Sequence, residues 1–416
     1  MLLRHIISVA VAWRMVSAIP TTKRGVNFAW GSEKIRGVNI GGWLVLEPWI
    51  TPSIFEGLGR DDVIDEFTLG EKLGQDAALD ILRTHWDTWT TFSDFQRIKD
   101  SGFNLVRIPI GYWAYETFGA PYVQGAAPYI DAAVDWARAL GLRIIIDLHG
   151  APGSQNGFDN SGQRVSTPGW QTGSTVSQTL SVLNTISTKY ATPAYHDVII
   201  AIQVLNEPLS PKLNQDTLRQ FHRDAFNGIR TSSNDTIVVL HDAFQPPASL
   251  NGFLTPSDNN AQNVAIDHHE YQVFDPALVA LSPSQHVQQV CTAASAYSYA
   301  DKWTFVGEWT GAMTDCAPLL NGRGVGARFD GSHPDAAGVV AGDCTWRSDV
   351  SRWTQQYKDD TRRYIEAQMA AFEARTQGWI WWNFKTEAAA EWDVFRLIEA
   401  GVFPQPIEER RFEVMC

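Results

Sequence analysis

Apolar residues in this chain gather into eight short runs: Ile35–Ile40, Leu105–Ile110, Leu142–Leu148, Val198–Leu205, Thr236–Leu240, Val264–His268, Trp303–Gly307 and Gly378–Trp382. Most are continuous rather than alternating, the pattern of strands covered on both faces, as in a parallel sheet. Helix-length segments stand between them: Asp76–Ser101, Pro128–Gly141, Thr175–Tyr190, Gln215–Ile229, Ser284–Tyr299 and Trp353–Thr376. Strand and helix in repeated alternation predict a single α/β domain, a (β/α)8 TIM barrel, ahead of an open doubly wound sheet. No G-x-G-x-x-G follows the first run, so a dinucleotide fold loses its main support. The chain has no linker-like tract, low-complexity segment or repeat, and one Gly-rich insertion, Asp315–Arg352, precedes the last helical segment.

Composition narrows the partners. Lys and Arg number 33 against 46 Asp and Glu, for a formal charge of −13. Nucleic acid and anionic membrane surfaces both require a dense basic footprint, which is missing. After the first thirty residues no apolar stretch is long enough to span a bilayer. Near the N-terminus Arg4 and His5 precede the apolar run Ile6–Trp13, followed by the small residues Ser17-Ala18 and the dibasic pair Lys23-Arg24. Residues 1–24 therefore read as a secretory signal and propeptide, with the barrel in 25–416. Four cysteines, Cys291, Cys316, Cys344 and Cys416, fit no zinc spacing, and in an exported chain they predict two disulfides, with three pairings open. Asn234-Asp235-Thr236 is an N-glycosylation sequon.

In a barrel, functional groups come from the C-terminal ends of the strands and the loops just beyond. Those ends here deliver Arg107, Asp147-Leu148-His149, Asn206-Glu207, His241-Asp242, His268-His269-Glu270-Tyr271, Glu308-Trp309 and Trp382. Glu207 and Glu308 sit three strands apart and face each other across the mouth. Two carboxylates across a cleft are the equipment for glycoside hydrolysis, one kept protonated as acid, the other ionised as nucleophile. A separation of about 5–5.5 Å would mean retention of anomeric configuration. Asn206 is placed to hydrogen-bond a sugar 2-hydroxyl.

Several stretches carry a family likeness: Lys34–Trp43 continuing through Val45–Pro48, Arg107–Trp113, Asp147–Asn160, Leu205–Pro208, Asp267–Phe274, Gly307–Trp309, Lys385–Glu387 and Pro404–Pro406. Together they resemble the fungal exo-β-1,3-glucanases of glycoside hydrolase family 5, over about Ile35 to Cys416. The resemblance implies a secreted retaining hydrolase that releases glucose from non-reducing ends of β-1,3-glucan, with Glu207 as acid/base and Glu308 as nucleophile. It implies that Arg107 holds the nucleophile, and that His149, His269 and Tyr271 bond sugar hydroxyls or the carboxylates. Glu47 and Asn160 match residues that bind the terminal glucose, Trp382 the floor beneath it, and Phe158 with Phe274 an aromatic clamp on the next sugar. The implied disulfides are Cys291–Cys416 and Cys316–Cys344. The expected partner is a β-glucan polysaccharide or oligosaccharide, and the enzyme is expected to be a monomer at the cell wall or outside the cell, with no cofactor and no metal. Trp49, Glu270 and Phe384 depart from the family pattern, where Tyr, His and Trp are usual.

Three other readings use the same residues. A related β-glucosidase, β-1,6-glucanase or transglycosylase needs only a change of aglycone or acceptor. A metal-dependent hydrolase is prompted by His149, His241, His268 and His269 with Asp147 and Asp242, although strand 1 ends Asn39-Ile40-Gly41 and offers no ligand pair. A non-catalytic glycan-binding wall protein would account for the 17 Trp but leaves the two glutamates without a purpose.

Overall fold

The computed structural model describes residues 26–336, 338, 340–413 and 416; the expected signal and propeptide, 1–24, lie outside them. Eight parallel strands close into one barrel in chain order. They are β1 Ile35–Asn39, β2 Leu105–Gly111, β3 Arg143–Gly150, β4 Ile199–Gln203, β5 Ile237–His241, β6 Val264–Glu270, β7 Trp303–Trp309 and β8 Gly378–Trp381. Closure is made by β1, which pairs with both β2 and β8. All eight expected strands are present, and the continuous apolar runs have the reason anticipated, since both faces are buried.

Alternation along each strand divides those residues between two layers. Leu105, Ile145, Val239, Ala265, Phe305 and Ile380 cluster inside the barrel. Their neighbours Val106, Ile144, Val238, Ile266, Val306 and Trp379 belong to the larger cluster shared with the surrounding helices. The same parity carries on toward the mouth: two residues after Leu105 comes Arg107, two after Ile145 comes Asp147, and two after Ala265 comes Asp267. On these three strands the apolar floor of the barrel thus gives way to a polar layer on the same face, whereas in β7 a register shift against β6 skips Gly307 and pairs Glu308 with His269. Gly307 makes room for that layer, because a Cβ there would stand 2.0 Å from Asp267 Oδ1.

Helices differ from expectation in three places. Asp76–Ser101 is two helices, Gln75–Trp89 and Phe92–Asp100, because Thr91 is extended and forms a capping box with Asp94 that starts the second. The segment expected to run to Tyr299 stops at Ala294 and is followed by a single 3₁₀ turn, Tyr297–Tyr299. Short helices at Pro52–Gly57, Glu66–Leu73 and Val394–Glu399 were not anticipated, being too brief to show a period. Disulfides join Cys291 to Cys416 and Cys316 to Cys344, the pairing that the family likeness implied. The second closes the base of the 315–352 insertion.

Ile130, fully buried on helix Ala127–Leu140, tests the shared layer. Ile130→Ala is expected to destabilise by about 2–5 kcal/mol, read as a lower urea midpoint at unchanged slope. Exposed Lys99→Ala should shift stability by no more than about 0.5 kcal/mol.

Candidate active site

Arg107 is the third residue of β2, not near its end as expected from the sequence; the strand continues to Gly111. Its guanidinium is wholly buried inside the barrel. Nε donates to Gln203 Oε1 at 2.9 Å, and Nη1 to Asn39 Oδ1 and to Glu308 Oε1, both at 2.9 Å. Nη2 donates to Asn206 Oδ1 at 2.8 Å and lies 3.0 Å from Asp147 Oδ2. Burial alone would lower its basicity, but Asp147, Glu308 and Asp267 more than offset that, so Arg107 stays a fixed cation. One side chain therefore ties together β1, β2, β3, the end of β4 and β7.

The two candidate glutamates meet at one imidazole. His269 Nδ1 is 2.8 Å from Glu207 Oε1 and 3.4 Å from Glu308 Oε2. Those two lengths laid end to end remain shorter than the roughly 6.5 Å at which inverting carboxyl pairs begin. Asn160 Nδ2 donates to Glu207 Oε2 at 2.9 Å, and Tyr271 O–H donates to Glu308 Oε2 at 3.0 Å. Glu207 itself takes φ 45°, a left-handed conformation that costs a non-glycine residue about 1–2 kcal/mol. Such strain gathers at functional positions.

Their charges are coupled. Burial lifts Glu207, yet the hydrogen bond and charge of His269 outweigh it and hold the carboxyl at about 2. Burial also lifts Glu308, and there His269 and Arg107 do not fully offset it, leaving it above its ordinary value. His269, which burial would depress, is held well above the usual histidine range by Glu308, Asp267 and Glu207. This departs from the expectation of a protonated Glu207: the proton sits on His269, one hydrogen bond away, and the three groups titrate as a unit.

A cavity of about 720 Å³ opens over the pair. Among the residues singled out from sequence, Glu47, Phe158, Asn160, Glu207, His269, Tyr271, Phe274, Glu308 and Trp382 line it. Arg107, His149 and Asn206 are buried behind that lining. His149 stacks under Trp382, with ring centroids 5.6 Å apart, while its Nδ1 bonds Asp147 at 2.6 Å. Trp49 Nε1 donates to Glu47 Oε2 at 2.9 Å. Burial raises Glu47 well above its usual value, despite that bond. Among the described residues Glu47 Oε1, His149 Nε2 and Asn206 Nδ2 have no hydrogen-bond partner, and buried polar atoms of this kind are normally satisfied.

Some members of the site escaped sequence reasoning. Asn39 and Gln203 hold Arg107, and a signal was available for Gln203, the one polar residue inside the apolar run Val198–Leu205, whereas Asn39 shares its run with Arg36. Trp392, packed on Trp49 and Tyr271, lines the cavity from a loop with no strand to mark it. The insertion contributes Leu320, Asn321, Arg328 and His333. Of the three departures from the family pattern, Trp49 lines the cavity, whereas Phe384 packs between Trp89 and Phe395. Glu270 accepts from Tyr297 O–H at 2.5 Å.

The histidine cluster makes a poor metal site. Ligand atoms of Glu207, His241 and His269 lie within 4.8 Å of one another. However, both nitrogens of His269 engage carboxylates, and His241 Nδ1 accepts the Ala243 N–H at 2.9 Å. His268 is a cation: burial would lower it, but Asp242 at 2.6 Å, with Glu270, raises it to about 9. A metal needs neutral imidazoles with free lone pairs.

Comparison with known proteins adds a family to this geometry. Residues 71–321 match the model for Cellulase (glycosyl hydrolase family 5). The chain is 42% identical over 406 residues to a glucan 1,3-beta-glucosidase of Yarrowia lipolytica, covering 96% of each chain. It is 45% identical to another of that name from Blumeria graminis, covering 99% of this chain and 97% of the other. Among solved structures, a rutinosidase from Aspergillus niger superposes with a TM-score of 0.69 at 18% identity, over 90% of this chain and 99% of that one. At that identity the likeness speaks for the fold alone.

Arg107→Met should strand buried carboxylates and destabilise by about 3–5 kcal/mol at pH 7. Glu308 and Asp267, which the Arg107 charge holds down, rise in the folded state without it, so their protonated forms favour folding at low pH and the deficit grows as pH rises. Denaturant midpoints of both proteins at pH 5 and pH 7 check this; a deficit that does not shrink at pH 5 contradicts it.

Proposed function

Because the chain belongs to glycosyl hydrolase family 5, we propose that it is a retaining exo-acting glucan 1,3-β-glucosidase with Glu207 as acid/base and Glu308 as nucleophile. The observation that carries this reading is the His269 nitrogen within 3.4 Å of both carboxylates, beside a cavity flanked by aromatic rings.

Before sugar enters, the proton that catalysis needs rests on His269 Nδ1 against Glu207 Oε1. Its transfer to Glu207 leaves a neutral imidazole and a carboxylic acid, with no change in net charge. Glu308, anchored by Arg107 and Tyr271, then attacks the anomeric carbon as Glu207 protonates the departing glycosidic oxygen. The C–O bond to the aglycone breaks and an ester to Glu308 forms. In the second half-reaction water attacks that carbon, Glu207 takes its proton, and the carboxylate of Glu308 is released. Arg107 and Tyr271 stabilise the charge that returns to Glu308, acting from fixed positions in a dry site.

Recognition follows from the lining. The terminal glucose lies on Trp382, its hydroxyls meeting Glu47 Oε1, while His149 and Asn206 support the site from behind that lining. Phe158 and Phe274 remain 44% and 45% exposed, which leaves both faces free to hold the next sugar, since apolar sugar faces stack on rings. A cavity larger than one hexose also lets an acceptor sugar replace water, giving transglycosylation at high oligosaccharide concentration. Two disulfides suit an oxidising compartment, in keeping with removal of 1–24 and export of 25–416 as a monomer to the wall or medium. Among the described residues no helix is long and apolar enough to cross a membrane.

Laminarin digestion should release glucose from the first time point, with the β-anomer appearing first by proton NMR; an oligosaccharide ladder without glucose, or α-glucose first, rejects the scheme. Glu308→Gln is expected to lose roughly 10⁴-fold or more in kcat/KM. Glu207→Ala should lose laminarin turnover yet keep the first step on 2,4-dinitrophenyl β-glucoside, with azide accelerating the second; equal loss on both substrates removes it as acid. Chelation by EDTA should leave turnover unchanged, and loss restored by a divalent metal would favour the metal-dependent reading.

A further inference from the structure

His241, the last residue of β5, is wholly buried and has no part in the scheme above. Its ring stands edge to face with His269, centroids 4.4 Å apart and planes at 83°. One of its nitrogens, one of His269 and a Glu207 oxygen lie within 4.8 Å of one another. The backbone decides where its proton sits. The Ala243 N–H donates to Nδ1 at 2.9 Å, so the neutral ring carries hydrogen on Nε2, and Nε2 has no hydrogen-bond partner among the described residues.

The turn that makes this contact is strained. Ala243 and Phe244 take φ 58° and 60°, two consecutive left-handed residues without a glycine. Conformations of this kind persist where surrounding contacts over-determine them. Here the turn delivers the Nδ1 bond and sets the Phe244 ring 5.3 Å from that of His241.

Titratable groups face His241 from every side. Asp242 follows it just past the end of β5, 3.8 Å from Nδ1; Asp267 and His269 come from β6, Glu207 from beyond β4, and His222, which burial holds down to about 3, from helix Gln215–Ser232. Burial and the neighbouring His269 cation push His241 down to about 4, against the pull of Asp242, Asp267 and Glu207. Near neutral pH it is an uncharged N–H donor.

We propose that His241 is a positioning residue for the acid/base step, its Nε2–H favouring the negatively charged state of the neighbouring Glu207–His269 pair and so setting how readily that pair yields its proton. With one proton the pair is neutral overall; without it the pair is negative. An N–H dipole beside it favours the second state, which makes Glu207 the stronger acid. Removing the dipole therefore weakens the acid and moves the alkaline limit of catalysis upward. This rests on Glu207 being the acid.

The test is the pH profile of kcat/KM on laminarin, alongside turnover of 2,4-dinitrophenyl β-glucoside, whose leaving group needs no proton. His241→Phe keeps a ring but no N–H. Its alkaline limb should move up by about half a pH unit or more, with kcat on laminarin several-fold lower and kcat on the activated substrate within about twofold. His241→Gln, which returns an N–H near the place of Nε2, should bring the limb back. His241→Asn keeps an acceptor for the Ala243 N–H while withdrawing the donor, and should shift as the Phe variant does; it serves also if that variant fails to fold. An unmoved limb in His241→Phe or His241→Asn overturns the proposal, as does equal loss on both substrates or identical behaviour of the Phe and Gln variants. Glu207→Ala in parallel separates the two failures, since without its leaving-group dependence it is the assignment of the acid that falls.

Discussion

A single buried cation organises the mouth of this barrel. Arg107 stands where the apolar interior ends, with its guanidinium hydrogens directed to Gln203, Asn39, Glu308 and Asn206 and its charge set against Asp147 and Asp267. Arginine suits the place because its planar fork cannot lose its charge and presents several donors in fixed directions. Without that charge the carboxylates gathered there would repel one another in a medium that screens little. With it, Glu308 is held rigidly from below, and Tyr271 fixes its other oxygen.

Above Arg107 the site keeps its proton in common. His269 lies between Glu207, Glu308 and Asp267, so the charge on any one of them depends on the others. A retaining mechanism requires one carboxylate to change from acid to base within a turnover. A histidine bonded to it gives a short path for that exchange, and His241 supplies a neutral face against which the exchange takes place.

Rigidity comes from the aromatic surroundings. Trp309, Trp379 and Trp381 pack edge to face behind β7 and β8, and Trp49, Tyr271 and Trp392 form a second group around the cavity. Large flat side chains with few rotamers hold a neighbour in place at low entropic cost. The local strain at Glu207, Ala243 and Phe244 is tolerated within that frame. The insertion closed by Cys316–Cys344 carries Leu320, Asn321 and Arg328 to the cavity wall, so part of the substrate surface hangs from a covalent staple and not from a strand.

Strand number, barrel closure and the position of Glu207 beyond the end of β4 and of Glu308 at the last but one residue of β7 were all legible along the chain, because buried parallel strands write themselves as continuous apolar runs and functional groups gather where those runs end. The helix break at Thr91 was also written there, in Thr91 and Asp94, though length concealed it. What the chain alone could not express is how far each side chain stands along the barrel axis and across its width. Arg107 lies deeper than its run implied, and His269 reaches both glutamates through a register shift between β6 and β7 at His268/His269. Asn39, Gln203 and Trp392 come to the site from strands and loops far apart in sequence. Those relations depend on strand register and closure, which are properties of all eight strands together, whereas apolar periodicity is a property of each strand by itself.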